Sequence, residues 1–166
     1  MALAATLNGG RAFLPPMELH HETLEEEATH VTDEARMVLP GVQAVMGFQL
    51  VAVFNQRFES FSEAEQLMHL AAFLMMVLAM GLIMLPAAWH RQVERGCVSR
   101  RFVNLASTVL TIAMAPLVLG VAIDAFLIAR LITHHLTLSA AVGLGTAVLL
   151  TSLWFGLPAI GRHLRR

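Results

Sequence analysis

The sequence contains no lysine and no tyrosine, a single cysteine, and few charges of either sign. Charged residues make up 14% of the 166, against 57% hydrophobic. Globular domains carry about a quarter charged residues, so this composition points to the bilayer rather than to water. The mean hydropathy of +0.66 agrees. With Cys97 alone, an internal disulfide is excluded, and a lone thiol in a loop reads as an ordinary residue. Catalytic signatures are missing as well: no His-Glu-x-x-His, no Gly-x-Ser-x-Gly, no paired carboxylates in an apolar segment, no glycine-rich phosphate loop. The expectation is therefore no enzyme and no cofactor. A net charge of −1 gives no basic footprint for nucleic acid. Residues 1–19 hold no apolar run of signal-peptide length, so no cleaved leader is expected.

What the sequence does have is four apolar segments of about 20 residues, enough to cross roughly 30 Å of hydrocarbon. They fall at about 37–56, 67–89, 102–126 and 138–160. The expected fold is an all-α, four-helix integral membrane bundle whose principal partner is the lipid bilayer. All eleven basic residues are arginine, and nine of them fall on one side of the four spans. Only Arg57 and Arg130 fall on the other. By the positive-inside rule both termini are cytoplasmic, and Trp89 and Trp154 then lie at the same inner interface. Leu85-Pro86-Ala87 with His90-Arg91 matches Leu157-Pro158-Ala159 with Arg162-His163. Two tandem parallel hairpins would produce this match, and so would the habit of proline and arginine at span ends.

Ahead of the spans, residues 1–22 read as a flexible segment. Residues 23–36 form a short acidic amphipathic helix, with a capping box at Thr23 and Glu26 and apolar Leu24, Ala28, Val31 and Ala35 at helical spacing. Residues 161–166 form a basic tail.

No charged residue falls in the central part of any span, which argues against mechanisms that move charge through it. The polar residues there are neutral. Gln43 and Gln49 lie in the first span, about 120° apart around the axis, so they cannot share one narrow partner. Gln49 and Gln56 share a face. Asn104, Ser107, Thr108 and Thr111 make one stripe along the third span. Such groups either knit helices together or line a polar route, and both readings stand. On the fourth span, Ser139, Gly143, Ala147 and Thr151 make a ridge suited to close packing. Methionines 68, 76, 80 and 84 on the second span read as flexible packing rather than a Cu(I) site.

The outer rim gathers His69, Asp124, His134 and His135 with Arg57 and Arg130. Asp124 paired with either arginine is one reading; a metal or proton-sensing site is the other.

The pattern Glu34-x-Arg36-x-x-Leu39-Pro40-Gly41-x-Gln43, continued by Gly47-Phe48 and later by Pro86-x-x-x-His90-Arg91, resembles an uncharacterised family of small bacterial membrane proteins of actinobacterial type. The resemblance implies four spans and the bacterial cytoplasmic membrane, and it implies no activity. Glu34, Arg36, His90 and Arg91 fall at the inner interface, where they would brace the first hairpin or hold lipid phosphate. Two functions follow as expectations. One is an oligomeric channel or carrier for a small ion or solute through a neutral polar route. The other is an accessory or scaffold subunit of a larger membrane complex that transports nothing. In either case a homo-oligomer or a membrane-protein partner is expected.

Overall fold

The computed structural model describes residues 22–164. Among them the chain is helical nearly throughout and contains no strand. The segment expected to be flexible over 1–22 falls almost wholly outside the described residues, as do His20, His21, Arg165 and Arg166.

Helix α1 runs Leu24–Val53. Thr23 caps it: its hydroxyl accepts the Glu26 N–H, and the Glu26 carboxylate accepts the Thr23 N–H at 2.8 Å. Two orphan donors of the first turn are satisfied in this way. The helix then continues without a break into the bilayer-length stretch, so the acidic helix of 23–36 and the first span are one rod. Pro40 consequently lies in the helix interior rather than in its first turn. It leaves the Arg36 carbonyl without its usual donor, close to the arginine-rich end.

A short 3-10 helix, Gln56–Ser60, leads to α2, Glu63–Val93, which Ser62 and Glu65 cap with a second box. Helix α3, Arg100–Thr133, starts at the Ser99 side chain and passes Pro116 without interruption. His134, in the left-handed region at φ 56°, ends it and donates its N–H to the Arg130 carbonyl. Helix α4, Leu136–Thr151, starts directly after this turn. A π turn, Ser152–Gly156, joins it to α5, Leu157–Leu164. Four rods result, each long and apolar enough to cross a membrane.

The four rods assemble around α3. It packs most extensively on α2, then on α4, and more lightly on α1, while α1 and α4 share no substantial contact. Val42 of α1, Met76, Ala79 and Ile83 of α2, and Ala113 and Leu117 of α3 form the central core. At the arginine-rich end Ala28 packs on Phe102 and Val103, and Arg100 pairs with Glu27. Helices α1 and α3 therefore run in the same sense, and α2 and α4 run against them. The two hairpins share a direction but differ in detail. Pro86 is buried while Pro158 is exposed, and α2 has no π turn.

Only 11% of the apolar window of α1, and the same share of that of the fourth rod, Leu136–Leu164, is buried against the rest of the chain. Phe48, Leu50, Val51 and Phe54 on α1 and Leu144, Val148 and Leu149 on α4 face outward. Lipid or another protein, not water, is the medium that suits such faces.

Where α3 meets its neighbours most closely, the contact is made by glycine. A Cβ at Gly143 would stand 2.9 Å from the Phe126 Cβ and 3.1 Å from the Ala122 carbonyl oxygen. Both are held by the α3 backbone and cannot swing away. Gly145, one step around the same helix, faces open space. Gly143→Ala is expected to destabilise the protein by about 1–3 kcal/mol through overpacking. Gly145→Ala should be neutral or stabilising by up to about 1 kcal/mol. Thermal unfolding in detergent, followed by circular dichroism, distinguishes the two.

Candidate functional site

One turn before the end of α1, in a stretch apolar but for Gln43, the chain presents Gln49. Its side chain is 4% exposed and points into the bundle. The amide nitrogen donates to an Asp124 carboxylate oxygen at 2.7 Å, joining α1 to α3. Helix α2 enters through His69, 8% exposed, whose Nε2 lies 3.0 Å from the backbone carbonyl of Gln49. A carbonyl only accepts, so Nε2 carries the proton. The other ring nitrogen, Nδ1, then faces the second Asp124 oxygen at 3.9 Å. In a neutral imidazole that nitrogen has a lone pair, directed at a carboxylate that also has lone pairs. At that distance the two acceptors face each other with no hydrogen bond between them. The Gln49 Oε1 is buried and has no hydrogen-bond partner.

Asp124 lies nine residues before the end of α3, about 13 Å along the axis. Sequence reading puts it at the end of a span closing near 126 and pairs it with Arg57 or Arg130. The structure shows neither pairing. Arg130 is bound to Glu65 at 2.9 Å. Arg57 sits on the exposed 3-10 helix, and among the described residues no carboxylate lies within ion-pair distance of it. The reason is geometric: α3 continues to Thr133, which carries Asp124 inward, to the level of Gln49 and His69.

Beside this cluster a cavity of about 540 Å³ opens between α1 and α3. Its wall is largely apolar, formed by Val45, Phe48, Phe58, Phe61, Leu127 and Ile128, with Gln49, His69 and Asp124 as its polar end. A second cavity of about 430 Å³ lies on the α1–α2 side and shares Gln49, Phe58 and His69. Phe58 stacks edge-on against the His69 ring with centroids 5.2 Å apart, holding the imidazole in place. An apolar hollow of this size with a few convergent polar groups has the form of a small-molecule site.

The remaining candidates do not join it. Gln43 is exposed on α1, and Asn104, Ser107, Thr108 and Thr111 are exposed along α3, with Thr111 returning its hydroxyl to the Ser107 carbonyl. They line no route inside the protomer. The π turn and α5 make no substantial contact with α3, so this stripe is left uncovered beyond the end of α4. Gln56 is exposed in the 3-10 helix. His134 and His135 build the α3–α4 turn with their backbone and keep exposed side chains. Among the described residues no group of three or more His, Cys, Asp or Glu is arranged to hold a metal ion, so His69, Asp124, His134 and His135 do not form one. At the arginine-rich end Arg36 pairs with Asp33 instead of Glu34, and Glu34 and Arg91 are exposed. His90 packs on Phe102 with its Nδ1 buried and unpartnered.

The joining of Gln49, His69 and Asp124 is what sequence reading missed. A signal existed: the run from Ala125 to Ile132 is apolar except for Arg130, which is enough to prolong the helix past Asp124. Fold and site together define a small four-span membrane protein with an ionisable, partly buried polar cluster between three of its helices. The chain belongs to a family of unknown function, DUF6328, whose pattern matches residues 17–158. No curated protein and no solved structure matches it.

Gln49→Leu removes a charge-assisted bond and leaves Asp124 without its amide donor. It should cost about 1.5–3 kcal/mol of stability. Gln43→Leu removes nothing within the protomer and should change monomer stability by less than about 0.5 kcal/mol. Equilibrium unfolding of both variants in the same detergent tests the contrast.

Proposed function

We propose that the protein is a small carrier in a bacterial cytoplasmic membrane, with both termini inside, and that its solute occupies the cavity beside Gln49, His69 and Asp124. The observation that carries the reading is the Gln49–Asp124 hydrogen bond beside His69, buried at the end of an apolar hollow. Ionisable residues placed inside a bundle at membrane depth are costly, and they commonly mark proton or solute pathways. A carrier suits this geometry better than an open pore. Below the site, Val42, Met76, Ala79, Ile83, Ala113 and Leu117 fill the interior, so the neutral polar route expected from the sequence does not run through one protomer.

The accessory role keeps one specific support. The broad outward faces of α1 and α4, together with the uncovered polar stripe of α3, suit a second copy or a partner subunit.

Flux in proteoliposomes separates the two. Under an imposed pH gradient, a carrier gives proton movement that depends on added solute and is lost in Asp124→Asn, while K⁺, Na⁺ and Cl⁻ leak no faster than in protein-free vesicles. Steady ion leak without solute would indicate an oligomeric pore, and no flux of any kind would favour the accessory role. Orientation has its own test in Cys97, exposed between α2 and α3. A membrane-impermeant maleimide should label it in inverted vesicles and leave it unlabelled in intact cells.

A further inference from the structure

The polar end of the larger cavity presents acceptors that no side chain there satisfies. Asp124 offers a carboxylate oxygen not taken by Gln49, at 3.9 Å from a ring nitrogen that is itself an acceptor when His69 is neutral. His69 has already spent its Nε2 proton on the Gln49 carbonyl. The Gln49 Oε1, also without a partner, is closed off beside them in the interior. A carboxylate at this depth needs positive charge beside it. No arginine within the bundle supplies it, since Arg130 is held by Glu65. Helix α4 contributes no residue to either cavity. The other charged groups near the site are Arg57, exposed at the mouth of the larger cavity, and Glu63, exposed at the mouth of the smaller one. The wall next to the carboxylate carries Phe48, Phe58 and Phe61, aromatic faces that attract cations as well as apolar groups.

Resting on the carrier reading above, we infer that the cavity binds a lipophilic organic cation, a protonated amine on an apolar body. Its ammonium bridges the free Asp124 oxygen and the His69 Nδ1, which face each other unbonded, and its body lies against the phenylalanines. An ammonium also supplies up to three N–H donors to these acceptors. The opening between α1 and α3 lets such a molecule enter from the side of the bundle.

The test uses the full chain in lipid nanodiscs and three fluorescent probes with a common dansyl group and eight-carbon chain, ending in a primary amine, an alcohol or a carboxylate. Binding is read as anisotropy above that in empty nanodiscs. The amine is expected to bind at least tenfold more tightly than either analogue and to tighten as pH rises from about 5 to 8, because a proton competes for the same place. Asp124→Asn should weaken the amine at least tenfold while leaving the alcohol unchanged. Ala125→Trp, which fills the cavity without altering the cluster, should remove both. The pH dependence of the unmodified protein stands even where a variant folds poorly. Equal binding of amine and alcohol, removed by Ala125→Trp and indifferent to pH, would overturn the cation and leave the solute cavity standing. Tightest binding of the carboxylate would overturn it in favour of Arg57 as the anchoring charge. No probe bound above empty nanodiscs would overturn the cation and the solute cavity together.

Discussion

A carboxylate carried into a bilayer by its helix must find hydrogen-bond donors there or give up its charge. Asp124 is placed in that position by the length of α3, and the arrangement of three helices answers to it. Gln49 brings the donor from α1, and His69 brings a titratable ring from α2. The three contacts are coupled, because His69 is itself tied to the Gln49 carbonyl. Displacing any one helix along its axis by a turn would separate groups that have few other partners in hydrocarbon. The cluster therefore ties α1, α2 and α3 together at one level, alongside the close glycine contacts that fix α3 against α2 and α4.

Helix α1 depends on this most. Little of it is fully buried: it holds on through the Gln49 cluster, through Val42 with Ala35, Leu39, Val45 and Met46 against the central core, and through Leu24 and Ala28 with Glu27 near the start of α3. The cavity beside Gln49 thus adjoins the attachment of α1 nearest its C-terminal end. Helices α2, α3 and α4, packed through Gly120 and Gly143 at close range, form the firmer part of the molecule.

The four spans were legible because entry into lipid is a property of each segment taken alone. Hydropathy, the Thr23 capping box and the helical spacing of Leu24 and Ala28 needed no knowledge of neighbours, and the structure has all of them. The site was legible only in part. Gln49, His69 and Asp124 each stood out as polar residues in or near apolar segments, yet their meeting joins positions 75 residues apart and depends on how far each helix extends. An end set at about 126 instead of Thr133 kept Asp124 at the rim and offered it the wrong partners. The stripe of Asn104, Ser107, Thr108 and Thr111 failed for a different reason. Periodicity shows that residues share a face, but not whether a neighbour covers it, and within the described residues this face stays exposed.

The His69 ring is the most direct witness to the account, because its tautomer is dictated by the Gln49 carbonyl. Nitrogen-15 NMR of selectively labelled histidine, assigned by comparison with His69→Gln, reports which ring nitrogen carries hydrogen. The account predicts an Nε2–H tautomer in lipid at alkaline pH, with the Nδ1 resonance the one that moves when Asp124 is replaced by Asn. An Nδ1–H tautomer, or a His69 signal insensitive to Asp124→Asn, would contradict the three-helix cluster on which the rest of the structure is argued to depend.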